Sequence, residues 1–261
     1  MNNVNIINGV NTRKALSFNL SGKVAFFKKP DVNAEVYFTY NNIHKVALLG
    51  LLGAIIGLKG YRNEDVFGEN KTIYPEFYEK LNQIKVSIIP NSTRGYFAKK
   101  IQYFNNSVGY ASNEAGGNLM VFEQWLENPN WTIYLLNDGA IDRDLWDKLC
   151  NNLLLGKSRY IPYLGKNDFP ASITNVQWIH LEQTEAEASF INSLFISELD
   201  VLDDSETSDD DLGFIFTEYS PVALEREFNF YKFERSIFTN YKISKLPPNI
   251  YSYEGKVLSF Y

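Results

Sequence analysis

Apolar and polar residues change period several times along this chain, and each change marks an element. Residues 15–20 (ALSFNL) alternate only weakly, as a strand with both faces covered does, and predict a strand that ends at the Ser21-Gly22-Lys23 turn. Residues 24–30 (VAFFKKP) follow, and then a loop-like stretch over 31–42. Residues 43–61 (IHKVALLGLLGAIIGLKGY) are apolar nearly all round and predict a buried helix, with Asn42 as its N-cap and Gly60 as its closing glycine. Gly50, Gly53 and Gly57 share one stripe of it, which predicts the close approach of another backbone there, a sheet being the expected partner.

Further on, residues 84–89 (IKVSII) read as a strand stopped by Pro90, and residues 94–110 as an extended hairpin turning at Asn105-Asn106. Residues 131–136 (WTIYLL) form another strand, and residues 142–155 a helix with Leu145, Trp146, Leu149 and Leu153 at helical spacing. A loop over 160–169 leads to a strand over 172–181. Beyond residue 214 aromatic patches alternate and no helix is expected. This order predicts an α+β fold: a ferredoxin-like (RRM-like) core over residues 13–190 with a hairpin insertion near 94–110, then a variable, β-rich C-terminal region over 191–261.

Composition narrows the class. A content of 45% hydrophobic and 15% aromatic residues is that of a packed globular chain, not a disordered one. The lone cysteine, Cys150, excludes a disulfide framework, and its neighbours Trp146, Leu149 and Leu153 predict a buried, inert thiol. The longest apolar stretch, residues 46–58, is 13 residues long. That is short of the roughly 17–25 that a spanning helix needs, and no signal-peptide pattern opens the chain, so a cytoplasmic protein is expected.

The net charge of −6 is unevenly spread. Residues 1–110 carry 14 Lys/Arg against 7 Asp/Glu, a net +7, and the remainder carries −13. Eight acids lie in residues 198–211 (ELDVLDDSETSDDD), which are expected to form a solvated, mobile loop. Asp209, Asp210 and Asp211 lack the spacing and glycine of a calcium loop, and no metal or other cofactor is expected.

Two histidines bound the catalytic possibilities. His44, at the start of the glycine-rich helix, is expected to be a neutral hydrogen-bonding or stacking group, because a positive helix end opposes its protonated form. His180 sits between Ile179 and Leu181 in a predicted strand and is expected to be structural. No nucleophile elbow, kinase signature or dinucleotide fingerprint is present. What stands out is the interleaving of bases and rings. One cluster is Lys23, Phe26, Phe27, Lys28 and Lys29; another is Arg94, Tyr96, Phe97, Lys99, Lys100, Tyr103 and Phe104. Lysines hold phosphates without reading sequence, and aromatic rings stack on splayed bases, so both clusters are candidate RNA-binding surfaces.

Three segments together resemble the Cas-five family of CRISPR-associated proteins, close to its type I-B branch: FNLSGKVAFFKKP (18–30), TYNNIHKVALLGLLGAIIGLKGY (39–61) and YIPYLGKNDFPASI (160–173). VFEQWLENPNWTIYLL (121–136) is similar to the family's central segment. The resemblance covers roughly residues 15–180 and implies an RNA-binding RAMP protein with a hairpin or thumb. Its implied place is in Cascade, the crRNA-guided surveillance complex, where it caps the backbone and holds the five-prime handle of the crRNA. Implied partners are the crRNA, the backbone subunit and the large subunit, with target DNA met indirectly. Carried over by position, Ser21, Gly22, Lys23, Phe26, Lys28 and Lys29 lie near the handle. Tyr40, His44 and Lys45 flank the glycine-rich helix on the RNA side, and Gly165, Lys166 and Asn167 form a loop close by. Arg94, Lys99 and Lys100 are added from charge alone. One branch of the family cleaves precursor crRNA with Tyr, Lys and His, for which Tyr40, Lys45 and His44 supply the residue types. A non-catalytic RNA-holding subunit is the expected function, with a metal-independent endoribonuclease and a protein–protein adaptor without RNA contact as the alternatives.

Overall fold

The computed structural model describes residues 4–7, 10–30, 35–61, 73–105, 109, 113–115, 119–184, 189–208 and 212–261. These form a mixed α+β fold dominated by strands, with three α-helices among the described residues. β1 (Val4–Ile7) pairs back on β2 (Val10–Ser21). Leu16, Phe18 and Leu20 of β2 enter one core and Ala15 enters another, which explains the weak alternation of this strand: both faces are covered. The short strands β3 (Val24–Ala25) and β4 (Val36–Tyr37) precede α1 (Lys45–Ile56), α2 (Glu76–Leu81) and β5 (Lys85–Pro90). β6 (Lys99–Asn105), β7 (Met120–Glu127) and β8 (Asn130–Leu136) lead to α3 (Arg143–Leu154) and β9 (Ser172–Gln183). The rest is β10 (Phe195–Ile196), β11 (Leu202–Thr207), β12 (Ile215–Leu224), β13 (Tyr231–Thr239), β14 (Tyr241–Ile243), β15 (Ile250–Tyr253) and β16 (Lys256–Ser259).

The largest sheet runs β16-β15-β9-β2-β8-β5, every neighbour antiparallel. α1 lies on the connection from β2 to β5, and α3 on the connection from β8 to β9, so each joins two strands that have one other strand between them. Both helices share one core with the sheet. Leu48, Leu52 and Ile55 of α1 and Trp146, Leu149 and Leu153 of α3 pack with Phe18, Ile133 and Val86. Cys150 is buried among them, and burial pushes its thiol up to about 12. On the opposite face Tyr134, Leu136, Ile179, Tyr251 and Phe260 make a second core. Just beyond β16, the Tyr261 N–H donates to Val86 O and the Val86 N–H donates to Tyr261 O, both at 3.1 Å, which seals the outer edge of β5.

Smaller sheets surround this frame: β3-β7-β4 with β6 on β7, β10-β13-β12, and β11-β14. β12 packs against α1, and the Leu224 N–H at its end donates to the Tyr78 hydroxyl of α2 at 2.9 Å. No helix among the described residues is long and apolar enough to cross a membrane.

Four expectations need correction. The glycine-rich helix is shorter than 43–61, because His44 and not Asn42 caps its N-terminus and Gly57 and not Gly60 ends it, at φ 83°. Its glycine stripe meets a helix, not a sheet: a Cβ on Gly53 would lie 2.6 Å from Phe77 Cβ on α2. The hairpin of 94–110 is instead β6 paired with β7, so its second arm comes from 120–127; Asn106 lies outside the described residues. The acidic segment is a loop only in part. β11 pairs with β14, and Lys242 meets Glu206 at 2.7 Å across the pair, so 202–207 is a strand; 209–211 lie outside the described residues.

The Gly53 contact carries a stability prediction. Gly53→Val forces α1 away from α2 and lowers the unfolding free energy by roughly 1–3 kcal/mol, measurable by chemical denaturation. A variant that unfolds at the parent's denaturant midpoint contradicts the close approach.

Candidate nucleic-acid interface

The stretch before α1 is fixed by buried polar side chains. Asn41 is fully buried; its amide donates to Gly95 O at 2.7 Å, and its carbonyl accepts from the Phe97 N–H at 3.3 Å. Its backbone N–H donates to Glu218 of β12 at 2.9 Å. Next to it, Asn42 accepts from the Trp131 indole at 3.0 Å. Buried amides with satisfied partners hold one geometry, since any shift would strand several polar groups at once. This knot joins the loop to the turn at residues 93–95, to β8 and to β12, and it delivers the chain to His44 in a set direction.

At His44, Nδ1 accepts from the Ala47 N–H at 3.2 Å and caps α1. The rings of Tyr40 and Tyr231 stand edge-on to the imidazole at 5.3 Å, and Phe27 at 6.2 Å. Burial lowers its pKa from 6.5 to about 3. The neutral hydrogen-bonding group expected from the sequence is what this geometry provides.

A groove of about 910 Å³ opens over α1. Its floor is the helix face of Val46, Ala47, Gly50, Leu51 and Ala54, with His44 at one end. Its walls are Phe26, Phe27 and Lys28 on one side and Tyr160, Tyr163, Gly165 and Lys166 on another, with Lys59, Tyr61, Phe77 and Tyr231 completing it. Among the described residues no Asp or Glu lines it. Gly165 brings the walls together: at φ 88°, a Cβ there would sit 1.8 Å from Phe26 O, so only glycine fits. The Phe26 N–H donates to Leu164 O at 3.0 Å, which ties the same two segments. Gly22 is tight for a similar reason, its Cβ position lying 2.5 Å from Leu164 Cδ1.

Phe26, Lys28, His44, Gly165 and Lys166 therefore converge on one groove. Other expected residues do not present themselves in the same way. Tyr40 is buried and is not among the groove-lining residues, whereas Phe26 lines the groove with only 5% of its surface exposed. Lys45 turns away from the groove and donates to Tyr261 O at 3.1 Å; burial lowers its pKa to about 8, with Lys85 adding to the effect. Lys29 is paired with the mostly buried Glu218 at 2.9 Å, and Lys100 with Glu127 at 3.5 Å. Arg94 is exposed in a left-handed conformation, φ 57°, in the 3-10 turn ahead of the hairpin, not on it. Lys99 lies 4.8 Å from the Tyr96 ring, and burial depresses its pKa. Lys28 is exposed over the Tyr37 ring at 3.7 Å, and Lys23 and Asn167 are exposed. Ser21 closes β2, opposite Asn130 and Ser172. His180 lies in β9 opposite Lys14.

Lys166 is held by a carboxylate and by aromatic rings. It meets both Glu123 oxygens at 2.8 and 3.1 Å, with the rings of Phe104, Phe26, Trp125 and Phe169 within 5.1–5.9 Å. The Trp125 indole N–H also donates to Glu123, at 2.8 Å. Charge, ring and carboxylate together anchor the loop to β7.

Residues missed by the sequence reading are Lys59, Tyr61, Phe77, Tyr160, Tyr163 and Tyr231. Tyr160 and Tyr163 stand beside Gly165 in one segment, so their place was within reach; Tyr231 comes from β13 and carries no local signal. Among the described residues no cluster of His, Cys, Asp and Glu could hold a metal ion.

No protein-family model matches the chain, and no curated protein matches it in sequence. Solved structures do align with it. A chain of a CRISPR RNA-guided surveillance complex is 11% identical over 90% of this chain and 94% of that one, with a TM-score of 0.47. A CRISPR protein from Archaeoglobus fulgidus is 9% identical over 94% and 97%, TM-score 0.47. A chain of the type III-B Cmr-beta complex bound to cognate target RNA and AMPPnP is 9% identical over 88% and 86%, TM-score 0.45. These three are CRISPR proteins or chains of CRISPR complexes, each at 11% identity or less.

Two predictions follow from this geometry. Lys166→Met leaves the Glu123 carboxylate without its cation and costs about 1–3 kcal/mol in denaturant unfolding, and adding Glu123→Gln recovers part of the loss. For His44, the folded pKa lies below the unfolded one, so the unfolded chain takes up a proton that the folded chain refuses. Its contribution is complete above pH 6.5 and is lost as pH falls toward about 3. The stability difference between the parent and His44→Asn, followed by thermal melts from pH 7 to 4, shrinks on acidification; a constant difference contradicts the neutral cap.

Proposed function

We propose that this chain is a non-catalytic, RNA-holding subunit of a CRISPR effector complex of the Cascade type, and that the groove over α1 holds the RNA. One observation carries the reading. The three segments whose sequence resembles the Cas-five family supply every groove-lining residue except Phe77 and Tyr231. Segments far apart in the chain converge there, and they bring rings and lysines with no lining carboxylate among the described residues, a lining suited to single-stranded nucleic acid. The five-prime handle of crRNA is the proposed ligand, and the backbone and large subunits are the proposed partners. The succession β2-α1-β5-β8-α3-β9, with sheet order β9-β2-β8-β5, supports reading the core as ferredoxin-like.

Binding without cleavage is favoured over the endoribonuclease alternative. An imidazole whose Nδ1 caps a helix and whose pKa is about 3 is a poor general base at neutral pH, and Lys45 is engaged with Tyr261. Lys28 and Lys59 are the cations offered for phosphate, since among the described residues neither has an ion-pair partner.

The test is filter binding of handle-containing repeat RNA in EDTA across a salt series. Parent protein is expected to bind and leave the RNA intact, with affinity falling steeply as salt rises. Lys28→Glu with Lys59→Glu weakens binding at least tenfold, and each lost contact reduces the log–log salt slope by about 0.7. Unchanged binding by that double variant defeats the groove as the RNA site, and site-specific cleavage abolished by His44→Asn defeats the non-catalytic reading.

A further inference from the structure

The polar atom left over at the groove floor belongs to His44. Its Nδ1 accepts the Ala47 N–H, so the proton of the neutral ring resides on Nε2. The side chain is 4% exposed and is gripped edge-on by Phe27, Tyr40 and Tyr231, so it cannot rotate to another partner without losing the cap. Among the described residues no acceptor engages Nε2, yet the residue lines the groove. Its neighbours on the floor are Val46, Ala47, Gly50 and Leu51, which offer no polar side chain.

We propose that His44 is a specificity-determining residue: its Nε2–H is a fixed donor that selects an acceptor, the carbonyl oxygen or ring nitrogen of one unstacked nucleobase lying in the groove. This rests on the groove being the RNA site. A hydroxyl can turn to donate or accept, and an ammonium seeks any phosphate, whereas a locked imidazole N–H tells an acceptor edge from a donor edge. The titratable groups facing the ring are the phenols of Tyr40 and Tyr231; Lys28, Lys59 and Lys166 lie elsewhere along the groove. Burial holds the Tyr231 phenol above its ordinary range, and the imidazole stays neutral down to about pH 3.

The experiment measures the affinity of the full chain for labelled single-stranded RNA 12-mers of rU, rC and rA by fluorescence anisotropy, at fixed salt from pH 6 to 8.5. Parent protein is expected to rank the three with a spread of about threefold to tenfold, the worth of one hydrogen bond, and to keep that ranking across the pH range. His44→Asn retains a capping oxygen but not the reach into the groove, so it should compress the spread to less than twofold while melting close to the parent. If it melts lower, His44→Ser, a second capping residue, decides the point. A parent without base preference, a variant that keeps the parent's spread, or a preference that fades as pH rises through 6.5 overturns the assignment. Lys28→Glu with Lys59→Glu separates the two claims. If it binds all three RNAs as the parent does, the groove reading fails; if it weakens all three while His44→Asn keeps the spread, the donor alone fails.

Discussion

The buried pair Asn41 and Asn42 is the constraint on which the rest of the molecule turns. Two adjacent amides, both removed from water, meet the turn at residues 93–95, the Trp131 indole and the Glu218 carboxylate. None of these partners is near in sequence, so the loop can satisfy its polar groups in one arrangement only. That arrangement sets where α1 begins, which way its cap faces, and therefore what the groove floor presents.

Charge in this chain works inward as much as outward. The basic front portion looked like one surface for phosphate, but several of its cations pair with carboxylates of the same chain, Lys29 with Glu218, Lys85 with Asp138 and Lys100 with Glu127, and beyond that portion Lys166 pairs with Glu123. Two of these acids, Glu218 and Glu123, are themselves nearly buried, so the pairs fasten late strands and loops to the front half. Net charge per segment could not separate a fastening lysine from a free one, because the distinction depends on which carboxylate folds against it.

The main elements were legible because their signals are local. The strands β2, β5, β8 and β9 and the helices α1 and α3 all follow from period and bounding residues, and the buried, inert state of Cys150 followed from its helical neighbours. Errors came where a distant partner decides the outcome. Asn42 is a good cap by residue type, yet Trp131 claims its side chain and the cap passes to His44. The glycine stripe announced a close neighbour but not that Phe77 of a six-residue helix would be it. Likewise β6 was recognisable, while its partner β7 starts at Met120, fifteen residues after β6 ends at Asn105, and not directly after a tight turn. Of the site, the segments around Phe26, His44 and Lys166 could be read as a set, and Tyr231 could not.

Tyr231 has a consequence for how the protein is made. The groove's floor and two of its walls come from residues 26–61 and 160–166, whereas the acid that neutralises Lys29 and this ring lie on β12 and β13 and are synthesised after both. For tens of residues of elongation the nascent chain carries an unroofed apolar helix and an unmatched lysine, a window in which a chaperone or aggregation competes with folding. The groove is thereby completed only after β13 is made, so a chain truncated before residue 231 would display the floor without that ring beside it.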